Sequence, residues 1–195
     1  MKKKLGKILS VITVAPVMAM IAVTLVYIFR PQLFDNNIGF LFVIIFCLGI
    51  VPLLAYPVAR IIPKINAKGR EGERNLAFLF TLIGYLFGII YEICFLPPHA
   101  VAVILTSYFI TALLLTFVNK VVKVKASGHA CGMAGPIVLM VWFLGWPFIA
   151  LFALLPIVYW ARMAMDRHTV LELAAGTAVG IVAPIISLLI FTFFI

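Results

Sequence analysis

Long apolar runs separated by short polar or basic breaks fill nearly the whole chain. They fall at about 8–29, 40–62, 76–96, 100–118, 130–144, 148–163 and 169–195. Each run is continuous rather than alternating, which predicts membrane-crossing helices and argues against a β-barrel. A helix needs about 20 residues to cross the hydrocarbon core, so the run at 130–144 is short. Pro52 and Pro57 lie inside the second run, where neighbouring helices can satisfy the carbonyls a proline leaves free. Arg30-Pro31 closes the first run, and Pro97-Pro98-His99 turns the third into the fourth. Gly145-Trp146-Pro147 divides the fifth from the sixth without any charge. The expected fold is all-α: a polytopic transmembrane helical bundle of about seven helices, or six if the Gly145 turn does not form.

Composition agrees with this pattern. The 195 residues are 66% hydrophobic and 11% charged, against about 45–50% and 25% in a soluble domain. A single membrane domain over 1–195 is expected, with no room for a separate soluble one. Met1-Lys-Lys-Lys-Leu-Gly-Lys7 resembles the basic start of a signal peptide. The apolar run behind it is longer than the roughly 7–15 residues of such a peptide, so it reads as a retained span. Cys47, Cys94 and Cys131 all lie in or beside apolar runs and suggest packing rather than disulfides.

Charge then gives an orientation. With seven spans, one side holds the N-terminus and the segments 63–75, 119–129 and 162–168. Every lysine and arginine but Arg30 lies there or, like Arg60, at the end of a span leading there. Basic short loops favour the cytoplasm, so this face is expected to be cytoplasmic. The net charge of +9 fits anionic headgroups, and no nucleic-acid motif is visible.

Two of the three histidines, His129 and His168, lie on this basic face, each just before an expected helix. A solvated position at headgroup level would explain either one alone. Their neighbours suggest phosphate chemistry. His168 and Glu172 are four apart, so on one helix the carboxylate can hold one ring nitrogen as N–H and leave the other free to attack. Ser127-Gly128, at the start of a helix, offers a hydroxyl and a close backbone approach to an anion. His129 would serve as general acid and then base. Arg162 can grip phosphate oxygens in a fork; an arginine snorkelling at a helix end is the alternative, but the spacing to His168 favours the phosphate. Glu172, one turn inside an apolar helix, is a functional candidate by position. Glu92 reads as an interfacial carboxylate or part of an ion path.

Lys125-Ala-Ser-Gly-His129 and Arg162-Met-Ala-Met-Asp-Arg-His168-Thr-Val-Leu-Glu172 resemble two signature motifs of the type 2 phosphatidic acid phosphatase superfamily. Those motifs are P-S-G-H and S-R, five residues, H, three residues, D. Here Ala126 stands for Pro, Ala161 for Ser and Glu172 for Asp. The third motif, K, six residues, R-P, is matched in part on the same face: Arg74 stands for its arginine, Asn75 replaces its proline, and Lys68 and Arg70 are the nearest substitutes for its lysine. A short bacterial membrane branch of the superfamily is closer. It carries a basic R-x-E-R run before this helix, then K-I-S-A-H, comparable to Lys125–His129, then A-R-L and H-T-P, comparable to Ala161–Met163 and His168-Thr-Val.

The resemblance implies a phosphatase-like core over about 64–195, with extra N-terminal spans over about 8–62. It also implies a phosphohistidine intermediate, no required metal or other cofactor, and a lipid phosphate or diphosphate as substrate. In roles it implies His168 as nucleophile, Glu172 as its orienter and His129 as proton donor. Arg162, Arg74, Lys125, Ser127, Gly128, Arg70 and Lys68 would surround the phosphate. Phosphatidate, phosphatidylglycerophosphate and polyprenyl diphosphate all present that group. The rival expectations are a protein that binds or moves a phospholipid without hydrolysis, and a phosphotransferase with an acceptor other than water. Many enzymes of the superfamily act on the extracytoplasmic leaflet, opposite to the face the charges favour here.

Overall fold

The computed structural model describes residues 2–193. Met1, and Phe194 and Ile195 at the end of the expected last span, lie outside the described residues. Among the described residues, helix makes up most of each of the seven expected runs, and no strand occurs. The helices are α1 (Lys2–Ile12), α2 (Ala15–Phe29), α3 (Ile38–Ile61), α4 (Gly69–Phe95), α5 (His99–Val122), α6 (Gly128–Leu144), α7 (Trp146–Ala164) and α8 (Val170–Phe193). Five of them, α3, α4, α5, α7 and α8, are long and apolar enough to cross a membrane. Helix α6 has 17 residues, about 25 Å at 1.5 Å per residue, and is the short one the sequence leads one to expect.

The unbroken first span is not found. Helices α1 and α2 meet at a bend of 50°, with Val14 extended between them. Pro16 has no N–H to offer the carbonyl of Ile12, so one continuous helix would lose a bond there. The basic segment at 63–75 also differs from the loop expected. A short helical turn covers Pro63–Asn66, and α4 already begins at Gly69, whose φ of +55° turns the chain. Glu71 in the first turn of α4 suits the positive end of the helix dipole. Arg70 and Arg74 are therefore one helical turn apart on α4 and not on a loop. The turn at Gly145, by contrast, forms as expected, and α7 starts beyond it as a 3₁₀ helix over Trp146–Leu154.

Helix α6 lies at the centre. Ten of its residues are buried, among them Cys131, Met133, Ile137 and Met140. Helix α8 packs along it and along α5, while α2 packs on α6 from another side. The α6–α8 approach is close. A Cβ on Gly176 would fall on the backbone of Ser127, and one on Gly180 would fall on the carbonyl of Cys131. Small residues of this kind let membrane helices pack by direct backbone contact.

The two ends of the bundle differ in chemistry. At one end, α1, the turn after α7 and the loop before α6 come together. At the other, Thr106 donates to both carboxylate oxygens of Glu92 at 3.1 and 2.9 Å, and His99 sits 3.4 Å from the Phe191 carbonyl. Glu92 thus has a local partner far from the basic face.

The packing makes a specific prediction. Gly176→Ala should destabilise the protein in detergent by about 1–3 kcal/mol, the usual range for overpacking, because backbone must move. Gly128→Ala should leave thermal unfolding nearly unchanged, since nothing lies within 4 Å of a Cβ there. Equal melting of the two variants would contradict this seam.

Candidate active site

The loop before α6 is pinned from two sides. Lys123 turns the chain with φ of +59°, and the Asn119 side chain accepts from the Ala126 amide at 2.7 Å. The Ser127 amide then donates to the Glu172 carbonyl at 2.8 Å. The first turns of α6, which carries His129, and α8, which follows His168, are thereby held side by side. Ser127 is the N-cap of α6. Its hydroxyl accepts from the Ala130 amide, and the residue is 0% exposed. Gly128, next to it, is exposed with open space beside it. The amides at such a helix start have no partner within the helix.

His168 lies in the turn between α7 and α8. Its Nδ1 is 2.8 Å from Glu172 Oε2, with side-chain exposures of 10% and 22%. A carboxylate partner holds the proton on Nδ1 and leaves Nε2 with a free lone pair. Glu172 has a second task. It accepts from the Thr169 amide at 3.2 Å, while the Thr169 hydroxyl accepts from the Glu172 amide at 3.3 Å. This is a capping box, T-x-x-E, which satisfies two of the free amides of α8. Burial is the largest influence on the His168 imidazole and lowers its pKa below the ordinary value. The Glu172 hydrogen bond opposes that shift, and the positive charges of Arg162 and Lys125 add to it.

Arg162 comes from the last turn of α7. Its Nη1 donates to the Ser10 hydroxyl of α1, and its Nε is buried with no hydrogen-bond partner. The Ser10 carbonyl and hydroxyl lie 3.0 and 3.1 Å from His129 Nε2. With the ring proton on Nε2, His129 donates to Ser10 and its Nδ1 is left as acceptor. His129, His168 and Arg162 stand close enough to feel one another's charge, and Arg70 and Tyr56 lie within the same range of Arg162. Lys125 is exposed at the rim, with its charge reaching His168 and Glu172. Lys68 and Arg74 are also exposed, and among the described residues no hydrogen bond or ion pair ties either of them to the histidines. Cys131 is buried and faces the core.

Beside His129 a cavity of about 200 Å³ enters the bundle, lined mostly by apolar and aromatic side chains such as Pro16, Tyr56, Phe78, Tyr85 and Leu139. Two participants were not foreseen from the sequence. Tyr56 carries no motif. Ser10 sits in an apolar run, but Gly6, Ser10 and Thr13 fall on one helical face, a small and polar stripe that marks a buried contact.

The arrangement gathers a half-buried imidazole with a free nitrogen, a second imidazole, and an arginine with an unused donor. It defines a partly buried, cationic site at one end of the bundle, suited to an anion. Comparisons of the chain with described protein families, with curated proteins and with solved structures find no match.

The pKa balance at His168 has a measurable sign. In a histidine NMR titration in detergent, His168 should titrate below the ordinary value of about 6.5. Glu172→Gln, which keeps an acceptor for the capping box but loses the charge, should lower it further. A rise in the variant would contradict the pairing.

Proposed function

We infer that this protein is a lipid phosphatase of the type 2 phosphatidic acid phosphatase kind, which hydrolyses a phosphomonoester or diphosphate at headgroup level. The observation that carries the reading is the His168–Glu172 pair set beside His129 and the unsatisfied Arg162. A site that only held a phosphate would need the cations. The orienting carboxylate and the free imidazole nitrogen are what displacement at phosphorus adds. The apolar cavity next to His129 suits the hydrocarbon part of a lipid.

In the proposed reaction, Nε2 of His168 attacks phosphorus as the bond to the ester oxygen breaks. His129, as the imidazolium that a bound phosphate dianion favours, gives the leaving oxygen its proton and is left as the neutral base. Glu172 holds Nδ1–H and stabilises the positive ring of the phosphohistidine. Water then attacks phosphorus, the P–N pair returns to Nε2, and His129 takes one water proton. Arg162, with Arg70 and Lys125 nearby and the Gly128 amide at the helix start, faces the charge on the phosphoryl oxygens. Lys68 and Arg74 contribute to the attraction of an anionic headgroup from the rim. No step calls for a metal, and the reading has this face towards the cytoplasm of the cell membrane, as the basic short segments favour.

The test is phosphate release by purified protein in detergent from phosphatidate, phosphatidylglycerophosphate and polyprenyl diphosphate, with EDTA present. Release from at least one lipid is expected. It should vanish in His168→Ala and fall by about 10²–10⁴ in His129→Ala, the range for a lost general acid. Near-normal release by His168→Ala would overturn the mechanism. Tight lipid binding without release would favour a binding or transport protein.

A further inference from the structure

Helix α1 does not behave as the first half of a span. It bends away from α2 by 50° and packs on α7, with Gly6 buried against the backbone of Ala161. Its Ser10 accepts from Arg162 Nη1 and engages His129 Nε2 through both its carbonyl and its hydroxyl. These are the two groups that the phosphatase reading assigns to the phosphate and the leaving oxygen, and the inference rests on that reading. Two oxygens of Ser10 thus sit where phosphate oxygens would be held. At the same time Arg162 Nε stays buried and unpartnered, because one serine cannot satisfy a guanidinium fork.

We propose that α1 is a lid that closes the site upon itself, with the Ser10 oxygens standing in for those of a phosphate monoester on Arg162 and His129. Lid closure is incompatible with turnover, since His129 Nε2 is engaged by Ser10. The hinge is the extended Val14 between Ile12 and Ala15, and Val14, Ala15 and Pro16 also line the mouth of the apolar cavity. An outer latch is visible in Lys3, whose ammonium lies 2.8 Å from Asp166 in the turn before His168. Both latch residues are 76% exposed, so the latch is weak and reversible. The rest of α1 suits an open position. Lys2, Lys4 and Lys7 are exposed, as are Leu5, Ile8 and Ile12, which lets the helix rest in a bilayer interface once lifted. A phosphate dianion binds Arg162 with more acceptors and more charge than Ser10 offers, so it displaces the lid rather than coexisting with it.

Hydrogen exchange of the full chain in detergent tests this without relying on turnover. Exchange at Leu9–Ile12 reports the lid, and exchange at Gly128–Ala130 reports the anion. Titration with inorganic phosphate should slow exchange at Gly128–Ala130 and speed it several-fold at Leu9–Ile12. Micelles containing phosphatidate form a second arm. Displacement by the lipid at far lower concentration assigns the anion to a headgroup, and equal potency assigns it to free phosphate. Lys3→Ala, which removes only the latch, should speed exchange in α1 about two- to fivefold without any phosphate, as expected for an exposed ion pair; an unchanged rate would overturn the latch. Anion binding that protects Gly128–Ala130 but leaves α1 unaltered would overturn the lid and leave the phosphatase reading standing. No effect on either segment from phosphate or lipid would overturn both.

Discussion

The close seam between α6 and α8 is the constraint on which the rest depends. Gly176 and Gly180 allow the α8 backbone to lie against Ser127 and Cys131, and the Ser127 amide reaches the Glu172 carbonyl across that seam. Two turns that are some forty residues apart in sequence thereby begin their helices side by side. Any side chain at Gly176 would push them apart. Since misplacement of about 1 Å can cost about 10²-fold in catalysis, a packing glycine with no chemistry of its own sets the distance between the two imidazoles.

Electrostatics supplies the second layer. Arg162 and Lys125 lie within charge range of His168 and Arg70 lies within range of Arg162, and the carboxylate beside His168, Glu172, is already engaged by His168 and by the Thr169 amide. The cluster is short of negative charge, and Arg162 Nε has no acceptor. Partly desolvated cations in this state are costly unless paired. An anionic ligand relieves that cost, and Ser10 relieves a small part of it in the ligand's place.

Much of the fold was legible because hydropathy alone determines which segments can enter a membrane. The run at 130–144 was visibly short, and the charge-free turn at Gly145 was placed correctly by its glycine and proline. Pro16 was visible too, but hydropathy is blind to direction, and the 50° bend it permits depends on what α1 finds to pack against. The Arg70–Arg74 segment read as a loop because its charges masked a good helix start at Gly69. At the site, the i to i+4 spacing of His168 and Glu172 was readable and places them in contact. The T-x-x-E capping box around Glu172 was not read from the sequence, and it gives that carboxylate a structural task beside its contact with His168. Ser10 was not readable as a partner of His129 and Arg162. Its contacts span more than a hundred residues and arise only when α1 folds back.

The central claim is that the His168 imidazole, aimed by Glu172, bonds directly to phosphorus. The most direct measurement is to quench the protein in base during turnover of a lipid phosphate and to locate the bound phosphate by mass spectrometry. The mechanism predicts an acid-labile, base-stable phosphate on His168, which accumulates in His129→Ala if loss of the base slows the attack of water. Phosphate on another residue, or steady phosphate release with no covalent adduct under any quench, would contradict it.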